Sequence, residues 1–339
     1  LDNYHAIQNK AIHAAINSMF DLQPAQMHLY IASRSEPPLS LAFLRACDQL
    51  NELRGSRLFF SPGETTAFLN QASAGALNPG QILTLHYRTE GWPAGLQLAV
   101  MASQDQNGGQ DFTRSFDGSH RFVADYFYDQ VFCDQSASVQ KFLLRTAALN
   151  QLNESLCSAV SGIPDCCEIL QQLERDNLFV LPLDCSRRSY RYHRLFSSFL
   201  QSRLREEDPA EWLEINRRAA DWCEERGDYD NAIRYATAAQ EHELAVHWVG
   251  QGGGRIVDRE RFPGLLCWLR SLPEAAYDSQ PALHIDHAWS LAYVGLLDDV
   301  EHQLNLAEQK LARPATQGIS NWAANRARPV WDLRQGNPG

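Results

Sequence analysis

Four residues have side chains and settings that fit the binding of a nucleotide: Asp2, Arg34, Pro93 and His193. Asp2 stands where a Walker B strand would end, and a carboxylate at a strand end holds Mg²⁺ directly or through water. Arg34 ends a short β-rich run, where a guanidinium can reach a terminal phosphate and sense its presence. The ordinary alternatives are a solvated terminal acid and an arginine on a surface loop.

The other two candidates lie at predicted helix starts. Pro93 lies in the sequence GWPAGL, where a proline ring can lie against an adenine or simply begin a helix. His193 joins a predicted strand to the next helix, and an imidazole at that place can donate to a nucleotide phosphate. A partly buried histidine that is satisfied by the backbone is the alternative.

A basic stretch surrounds the histidine. It consists of Arg187, Arg188, Arg191 and Arg194, with Tyr190 and Tyr192 between them. Such a stretch can contact DNA, as the wing of a winged helix does. Because Glu206, Glu207 and Asp208 follow closely, a solvated or intramolecularly ion-paired surface is the favoured interpretation.

Other chemistries have no sequence support. The chain has no GxxxxGK[ST] loop, no HExxH, no Cys/His cluster with zinc spacing and no GxSxG turn. The first absence argues against ATP hydrolysis by these residues alone, because that loop supplies the amides that bind the phosphates. The sequence shows no catalytic constellation.

Composition describes an ordinary globular chain of 339 residues with 44% hydrophobic residues and a net charge of −11. This charge has the wrong sign for a surface that binds nucleic acid throughout. No apolar run reaches the roughly 18 to 20 residues that span a bilayer, and no signal peptide is visible. Eight cysteines without a CxxC pair are expected to be reduced, mostly buried thiols, so we expect a cytoplasmic protein with no membrane partner.

The elements that would position the candidates begin with an α/β unit over residues 1–61. Apolar spacing predicts a helix over residues 7–20, a strand over 27–33, a helix over 41–50 and a strand over 57–60. A serine followed by a proline then opens the next helix. The expected fold class is mainly α with this partial α/β unit.

The middle of the chain predicts two small domains. Short helices over residues 62–112 end in the polar linker SQDQNGGQD. Residues 113–207 contain helices, then strands over 177–183 and 189–192, then a further helix, which resembles a winged-helix arrangement.

Residues 208–312 predict a helical repeat array. Gly227, Asp230 and Ala239 recur 68 residues later as Gly295, Asp298 and Ala307, which is twice the period of tetratricopeptide-like hairpins. Residues 313–339 are rich in Arg, Asn, Gly and Pro and are expected to be an irregular tail.

These pieces occur in this order in the large ATP-dependent LuxR-type transcriptional regulators, which are signal-transduction NTPases with an NB-ARC-like core. The resemblance is carried by LDNYHAI, MHLYIASRSEPPL, RLFFSPGETTAFLN, RTEGWPAGLQLA, FVADYFYDQVF, VQKFLLRTAAL, ILQQLERDNLFVLPLD and RYHRLFSSFLQSRL. It is strong over roughly residues 1–250. It implies the C-terminal part of a P-loop NTPase domain (1–61), a small helical lid (62–112), a winged helix (113–207), a tetratricopeptide-like sensor (208–312) and the tail (313–339).

The resemblance also implies site residues. Asp2 would be the Walker B acid that holds Mg²⁺, and Arg34 the sensor arginine. Pro93 would be the adenine-side proline, and His193 the histidine that ties the winged helix to bound ADP. Asn3 replaces the usual second acid, which leaves at most a slow ATPase, and an arginine replaces the aspartate that often follows the histidine.

The implied function is that of a fragment of an inducer-responsive transcriptional activator, with ATP or ADP and Mg²⁺ as cofactors. ADP would hold a closed form, and ATP with a small-molecule or protein inducer would favour an open, self-associating form. DNA would be bound by a C-terminal helix-turn-helix that this chain lacks. The alternative is a nucleotide-independent helical-repeat scaffold that binds a protein or small ligand.

Overall fold

The computed structural model describes residues 1–22, 24, 26–73, 77–105, 112–254, 262–277 and 280–311. The chain divides into two compact units, Leu1–Glu207 and Asp208–Gly339. Within the described residues helices dominate and the one sheet has two strands, which confirms a mainly α fold. None of the described helices combines the length and the apolar character that a membrane span requires. The predicted tail and most of the predicted linker lie outside the described residues.

Residues 1–61 begin with α1 (Lys10–Asp21) and α2 (Leu41–Ala46), close to the predicted helices. The strand predicted over residues 57–60 is wrong. A 3₁₀ turn occupies Gly55–Arg57, and the N–H of Phe60 donates to the carbonyl of Gly91 at 2.7 Å. Among the described residues no strand lies beside this apolar run. Its last residue, Phe60, is instead hydrogen-bonded to the turn at Gly91.

The segment predicted as a strand over residues 27–33 pairs with the start of the chain. The main-chain nitrogen of Leu1 donates to the carbonyl of Tyr30 at 2.7 Å, and the N–H of Ala32 donates to the carbonyl of Leu1 at 2.8 Å. This exchange is typical of parallel strands, although no regular strand is formed. It brings Asp2 and the residues that precede Arg34 to one edge.

Three helices follow, and each begins at a proline: α3 (Pro62–Ala72), α4 (Pro79–Thr89) and α5 (Pro93–Asp105). Proline suits the first helical position because an N–H at that position, which proline lacks, would have no acceptor within the helix. The side chains of Ser61 and Asn78 cap the first two helices in complete capping boxes.

Helices and a hairpin make up the rest of the first unit. In chain order they are α6 (Phe112–Ser115), α7 (Arg121–Phe127), a π turn (Tyr128–Phe132), α8 (Ala137–Arg145), α9 (Glu154–Ser161), α10 (Cys166–Arg175), β1 (Val180–Pro182), β2 (Tyr190–Tyr192) and α11 (Arg194–Glu207). The strands are antiparallel, with Val180 opposite Tyr192. This order of helices, hairpin and helix is the one predicted for a winged helix.

The second unit is helical throughout its described residues. Its helices are α12 (Pro209–Glu224), α13 (Tyr229–Ala238), α14 (His242–Gly254), α15 (Phe262–Ser271), α16 (Glu274–Tyr277), α17 (Pro281–Tyr293) and α18 (Leu297–Leu311). The pairs α12/α13 and α17/α18 are packed helical hairpins.

The residues that recur at a spacing of 68 take equivalent places in these two hairpins. Gly227 and Gly295 have φ of 73° and 81° in the turns, a conformation that favours glycine. Asp230 and Asp298 lie in the first turns of α13 and α18, where a negative charge is favourable. The paired alanines are both buried. The weak sequence repeat thus corresponds to a repeated hairpin geometry.

The cysteines differ in part from the prediction. None of the eight forms a disulfide, but the expectation that most are buried is wrong. Four are exposed: Cys47, Cys133, Cys185 and Cys267.

Candidate functional site

His193 lies between β2 and α11 and is completely buried. Its main-chain N–H donates to the carbonyl of Phe179 at 2.8 Å, and its carbonyl accepts from the N–H of Ser197 at 2.8 Å. The ring atom Nε2 lies 2.9 Å from the carbonyl oxygen of Thr89, the last residue of α4. Three parts of the unit therefore hold this residue: the segment before β1, the first turn of α11 and the end of α4.

Three aromatic rings stand edge-on to the imidazole. The rings of Phe59, Trp92 and Phe179 have centroids 6.1, 5.9 and 5.7 Å from it. Burial among these rings lowers the pKa of His193 below its ordinary value, because the charged form loses its water. The imidazole is therefore favoured in its neutral form.

The second ring nitrogen, Nδ1, is buried and has no hydrogen-bond partner among the described residues. A carbonyl oxygen only accepts, so the hydrogen of the neutral ring lies on Nε2, facing Thr89. Nδ1 is then an acceptor. A buried polar atom left unpaired costs about 1–3 kcal/mol. Nδ1 of His193 can therefore still accept one hydrogen bond.

Arg191 and Arg194, which flank the histidine in sequence, both form ion pairs with Glu90. Arg191 donates from its two terminal nitrogens to the two carboxylate oxygens, each at 2.7 Å. The Nε of Arg194 lies 3.3 Å from the same carboxylate, and its main-chain N–H donates to it at 3.2 Å. Burial alone would raise the pKa of Glu90, but the hydrogen bond from Arg191 and the nearby positive charges hold it below its usual value.

The turn that carries this carboxylate has an unusual backbone. Glu90 and Gly91 have φ of 51° and 75°, both in the left-handed region. A β-carbon at Gly91 would overlap the main-chain oxygen of Phe60. The position therefore accepts only glycine without a shift of the backbone.

Arg34 lies on the surface and makes long contacts. Its guanidinium donates to the side-chain oxygen of Gln130 at 3.3 Å and to the main-chain oxygen of the same residue at 3.5 Å. The carbonyl of Arg34 accepts from the amide nitrogen of Asn177 at 2.6 Å, and its N–H donates to Nδ1 of His5 at 3.3 Å. The backbone is thus held more firmly than the charged group.

Tyr126 contacts one of the rings that surround the buried histidine. Burial raises the pKa of the Tyr126 hydroxyl, and the positive charge of Arg34 acts in the opposite direction. The Tyr126 ring contacts that of Trp92 at 5.2 Å, and Trp92 in turn contacts His193. The charge of Arg34 is therefore felt by a tyrosine that packs against the aromatic rings around His193.

Asp2 and Pro93 occupy simpler positions. Asp2 is exposed, and its carboxylate accepts from the main-chain N–H of Asn3 at 2.8 Å. Among the described residues no three His, Cys, Asp or Glu side chains converge on a metal position. Magnesium is commonly bound by one or two carboxylates together with phosphates, so Asp2 could be one ligand of such a set. Pro93 is the first residue of α5 and follows the buried Trp92.

An open cleft of about 650 Å³ lies on the outer side of the Glu90 ion pairs. It is lined by Leu83, Thr84, His86, Tyr87, Glu90, Arg191 and Arg194. None of the four predicted residues lines it. The guanidinium of Arg194 lies 3.5 Å from the centre of the Tyr87 ring in this cleft.

Comparison with known proteins agrees with this architecture. Residues 128–212 match the model of the MalT winged helix domain. Over 320 residues the chain is 28% identical to the HTH-type transcriptional regulator MalT of Vibrio cholerae, covering 94% of this chain and 35% of that protein. The MalT of Vibrio campbellii is 28% identical over 315 residues, covering 92% and 34%.

Over nearly its whole length the chain is thus similar to MalT regulators. It spans about a third of the length of the curated relatives it matches. The range that matches the MalT winged helix domain contains His193 and Gln130, whereas Glu90 and Arg34 lie outside it. The contacts described above therefore connect the winged helix with the residues that precede it.

Three of the four arginines of the basic stretch form ion pairs within the chain, as the favoured interpretation expected. Arg191 and Arg194 pair with Glu90, and Arg187 lies 3.4 Å from Glu174. Among the described residues, Glu206, Glu207 and Asp208 form no ion pair with these three arginines. The reason is that β2 and the start of α11 face α4 and α10, so the nearest carboxylates come from those helices.

Sequence reasoning missed Glu90 and Thr89. They lie about a hundred positions from their partners and match no motif, so no spacing rule connects them to His193. The acid next to the glycine in TEGWP was the one available signal, because a left-handed turn at a helix end brings its neighbours close to other elements.

Proposed function

We propose that this chain is the switch-and-sensor part of a transcriptional regulator that is controlled by ATP or ADP and by an inducer. The support for transcription regulation is the similarity to proteins named HTH-type transcriptional regulator MalT over nearly the whole chain. The support for nucleotide control is the geometry around His193. The cytoplasm is the proposed location.

The observation that carries the proposal is the buried Nδ1 of His193, which has no partner among the described residues. A polar atom of this kind needs an explanation in a folded protein, and an absent ligand is one. Nδ1 lies at the junction of β2, α11 and the end of α4, where a ligand would touch both the winged helix and the helices before it. A ligand bound there would favour one arrangement of these elements.

In the proposed site, His193 holds the phosphates from the winged helix, and Arg34 reaches them from the opposite edge. The long bonds of Arg34 to Gln130 are easily exchanged for a charge-assisted bond to phosphate. Asp2 would supply one carboxylate ligand to Mg²⁺, and Pro93 would contact the adenine. Bound nucleotide supplies the difference in affinity between two conformations that a switch requires. Because Asn3 stands in place of a second acid, hydrolysis is slow and serves only to reset the switch.

The repeated hairpins of the second unit are the proposed inducer site, since helical arrays offer broad surfaces for ligands. We further propose that the nucleotide- and inducer-loaded form self-associates, and that DNA is bound by a helix-turn-helix outside this chain. No membrane partner is proposed.

The test is the basal activity of the full-length protein at a target promoter. His193→Ala should loosen the retention of ADP and raise transcription without inducer. The surface variant Arg121→Ala, which removes only an exposed pair with Asp125, should leave basal transcription unchanged. Unchanged basal transcription in the His193 variant would contradict the proposal and favour a scaffold that works without nucleotide.

A further inference from the structure

We propose that His193 binds a diphosphate only with uptake of one proton at Nδ1, and that Glu90 is the positioning residue for the resulting imidazolium. This inference rests on the proposed function, because it concerns the same site. It follows from the tautomer of the ring and from the charges that surround it.

First, the hydrogen bond to Thr89 determines which ring nitrogen of His193 carries the hydrogen. The carbonyl oxygen of Thr89 lies 2.9 Å from Nε2 and can only accept. The ring must donate through Nε2 whether it is neutral or charged. Nδ1 therefore carries a hydrogen only in the imidazolium form.

The second step is the chemistry of the ligand. Fully ionised phosphate oxygens are acceptors, as is Nδ1 of the neutral ring, so the two repel each other. A proton on Nδ1 removes the conflict, because the ring then donates to the phosphate oxygen. The complex therefore holds one proton more than the separated protein and nucleotide.

The third step is the set of charges around the ring. Glu90 favours the imidazolium, and Arg191 and Arg194 oppose it. Glu90 also pairs with both arginines, which reduces their repulsion of a charged His193. With an imidazolium the four side chains carry a net charge of about +2, which complements a diphosphate.

Fourth, the turn that contains Thr89 and Glu90 holds both groups in fixed positions around the ring. Thr89 and Glu90 are consecutive, so the group that fixes the tautomer and the group that favours the charge are placed by one turn. That turn is held by Gly91, whose carbonyl accepts from Phe60 at 2.7 Å. A shift of the turn would alter the hydrogen bond and the charge together.

The test is calorimetry of ADP binding to the full-length protein at about pH 8, roughly two units above the second phosphate pKa. Measurement in buffers of different ionisation enthalpy gives the number of protons taken up. We expect about one proton for the wild type, and a loss of affinity of about tenfold for each pH unit above the pKa of His193. His193→Gln, which can still donate to Thr89 but does not titrate, should take up none.

Glu90→Gln tests the positioning role. It should weaken ADP binding by about tenfold at the same pH, and the difference from the wild type should disappear as the pH falls below the pKa of His193. A purely structural defect would persist at every pH. Asp125→Asn, which removes an exposed acid paired with Arg121, should leave both affinity and proton uptake unchanged.

The outcomes separate the two proposals. ADP binding by the wild type without proton uptake overturns this inference and leaves the proposed function standing. Equal uptake by the wild type and His193→Gln also overturns it. Failure of the wild type to bind ADP overturns both. If His193→Gln does not fold, the pH dependence of the wild-type affinity decides alone.

Discussion

The two sides of the candidate site differ in how firmly their residues are held. On the buried side, defined by His193 and Glu90, a bidentate pair at 2.7 Å joins Glu90 to Arg191. On the exposed edge, defined by Asp2 and Arg34, the guanidinium contacts Gln130 at 3.3 and 3.5 Å in a solvent-exposed setting. Exposed contacts of this kind contribute about 0–1 kcal/mol.

The difference in contacts gives the buried side and the exposed edge different properties. The buried side fixes geometry and protonation, because its groups cannot move without breaking several contacts. The exposed edge is free to respond, since its arginine loses little when it leaves Gln130. The nucleotide switch proposed above would use the buried side as its fixed part and the exposed edge as the part that moves.

The largest effect is expected for Gly91→Ala on the buried side. The new methyl group would overlap the main-chain oxygen of Phe60, in a turn with φ of 75°. We expect a loss of about 3 kcal/mol or more in the free energy of unfolding, measured with urea. Gly63→Ala, in α3 with nothing within 4 Å of its β-carbon, should change stability by less than about 0.5 kcal/mol. Equal losses of stability in the two variants would contradict the difference between the buried side and the exposed edge.

Glu90→Gln should be the next most destabilising. It leaves Arg191 and Arg194 without their carboxylate, whose side chain is 13% exposed. We expect a loss of about 2 kcal/mol in the free energy of unfolding. Asp125→Asn breaks a pair whose side chains are 83% and 66% exposed, so it should cost below about 0.5 kcal/mol. Urea unfolding of both variants would show whether partial burial makes this difference.

Stability should depend on pH through His193. Its pKa in the folded chain lies below the ordinary 6.5, so the unfolded chain binds more protons between these values. Stability is therefore complete above about pH 6.5 and falls as the pH drops toward the folded value. His193→Gln should flatten this part of the stability profile. An identical slope in the variant would show that other groups cause it.

The smallest effect is expected for Arg34→Ala on the exposed edge. Because its guanidinium makes only long, exposed contacts, the change in unfolding free energy should stay below about 0.5 kcal/mol. A loss above about 2 kcal/mol, measured by urea unfolding, would mean that this edge is as firmly built as the buried side.

Much of the local structure was predictable because its signals lie within a few residues. The serine and the proline at positions 61 and 62 predicted the start of α3, and the recurrence of Gly227 as Gly295 predicted the repeated hairpin. The hairpin and the helix that follows it were also predicted. These features depend on backbone chemistry that neighbouring residues determine.

The remaining features depend on distant partners. The apolar run at residues 57–60 reads as a strand, but its Phe60 N–H pairs with Gly91. The protonation of His193 depends on Thr89, about a hundred residues away. The sequence identified the histidine as a candidate and assigned it a donor role. Only the position of the Thr89 carbonyl shows that the neutral ring accepts at Nδ1.

The most direct test of the account is the rate at which full-length protein releases ADP, measured by stopped flow with a fluorescent ADP analogue. If His193 holds the diphosphate, His193→Gln should release it at least about tenfold faster than the wild type. Arg121→Gln should release it at the wild-type rate. Equal release from the wild type and the His193 variant would contradict the central claim.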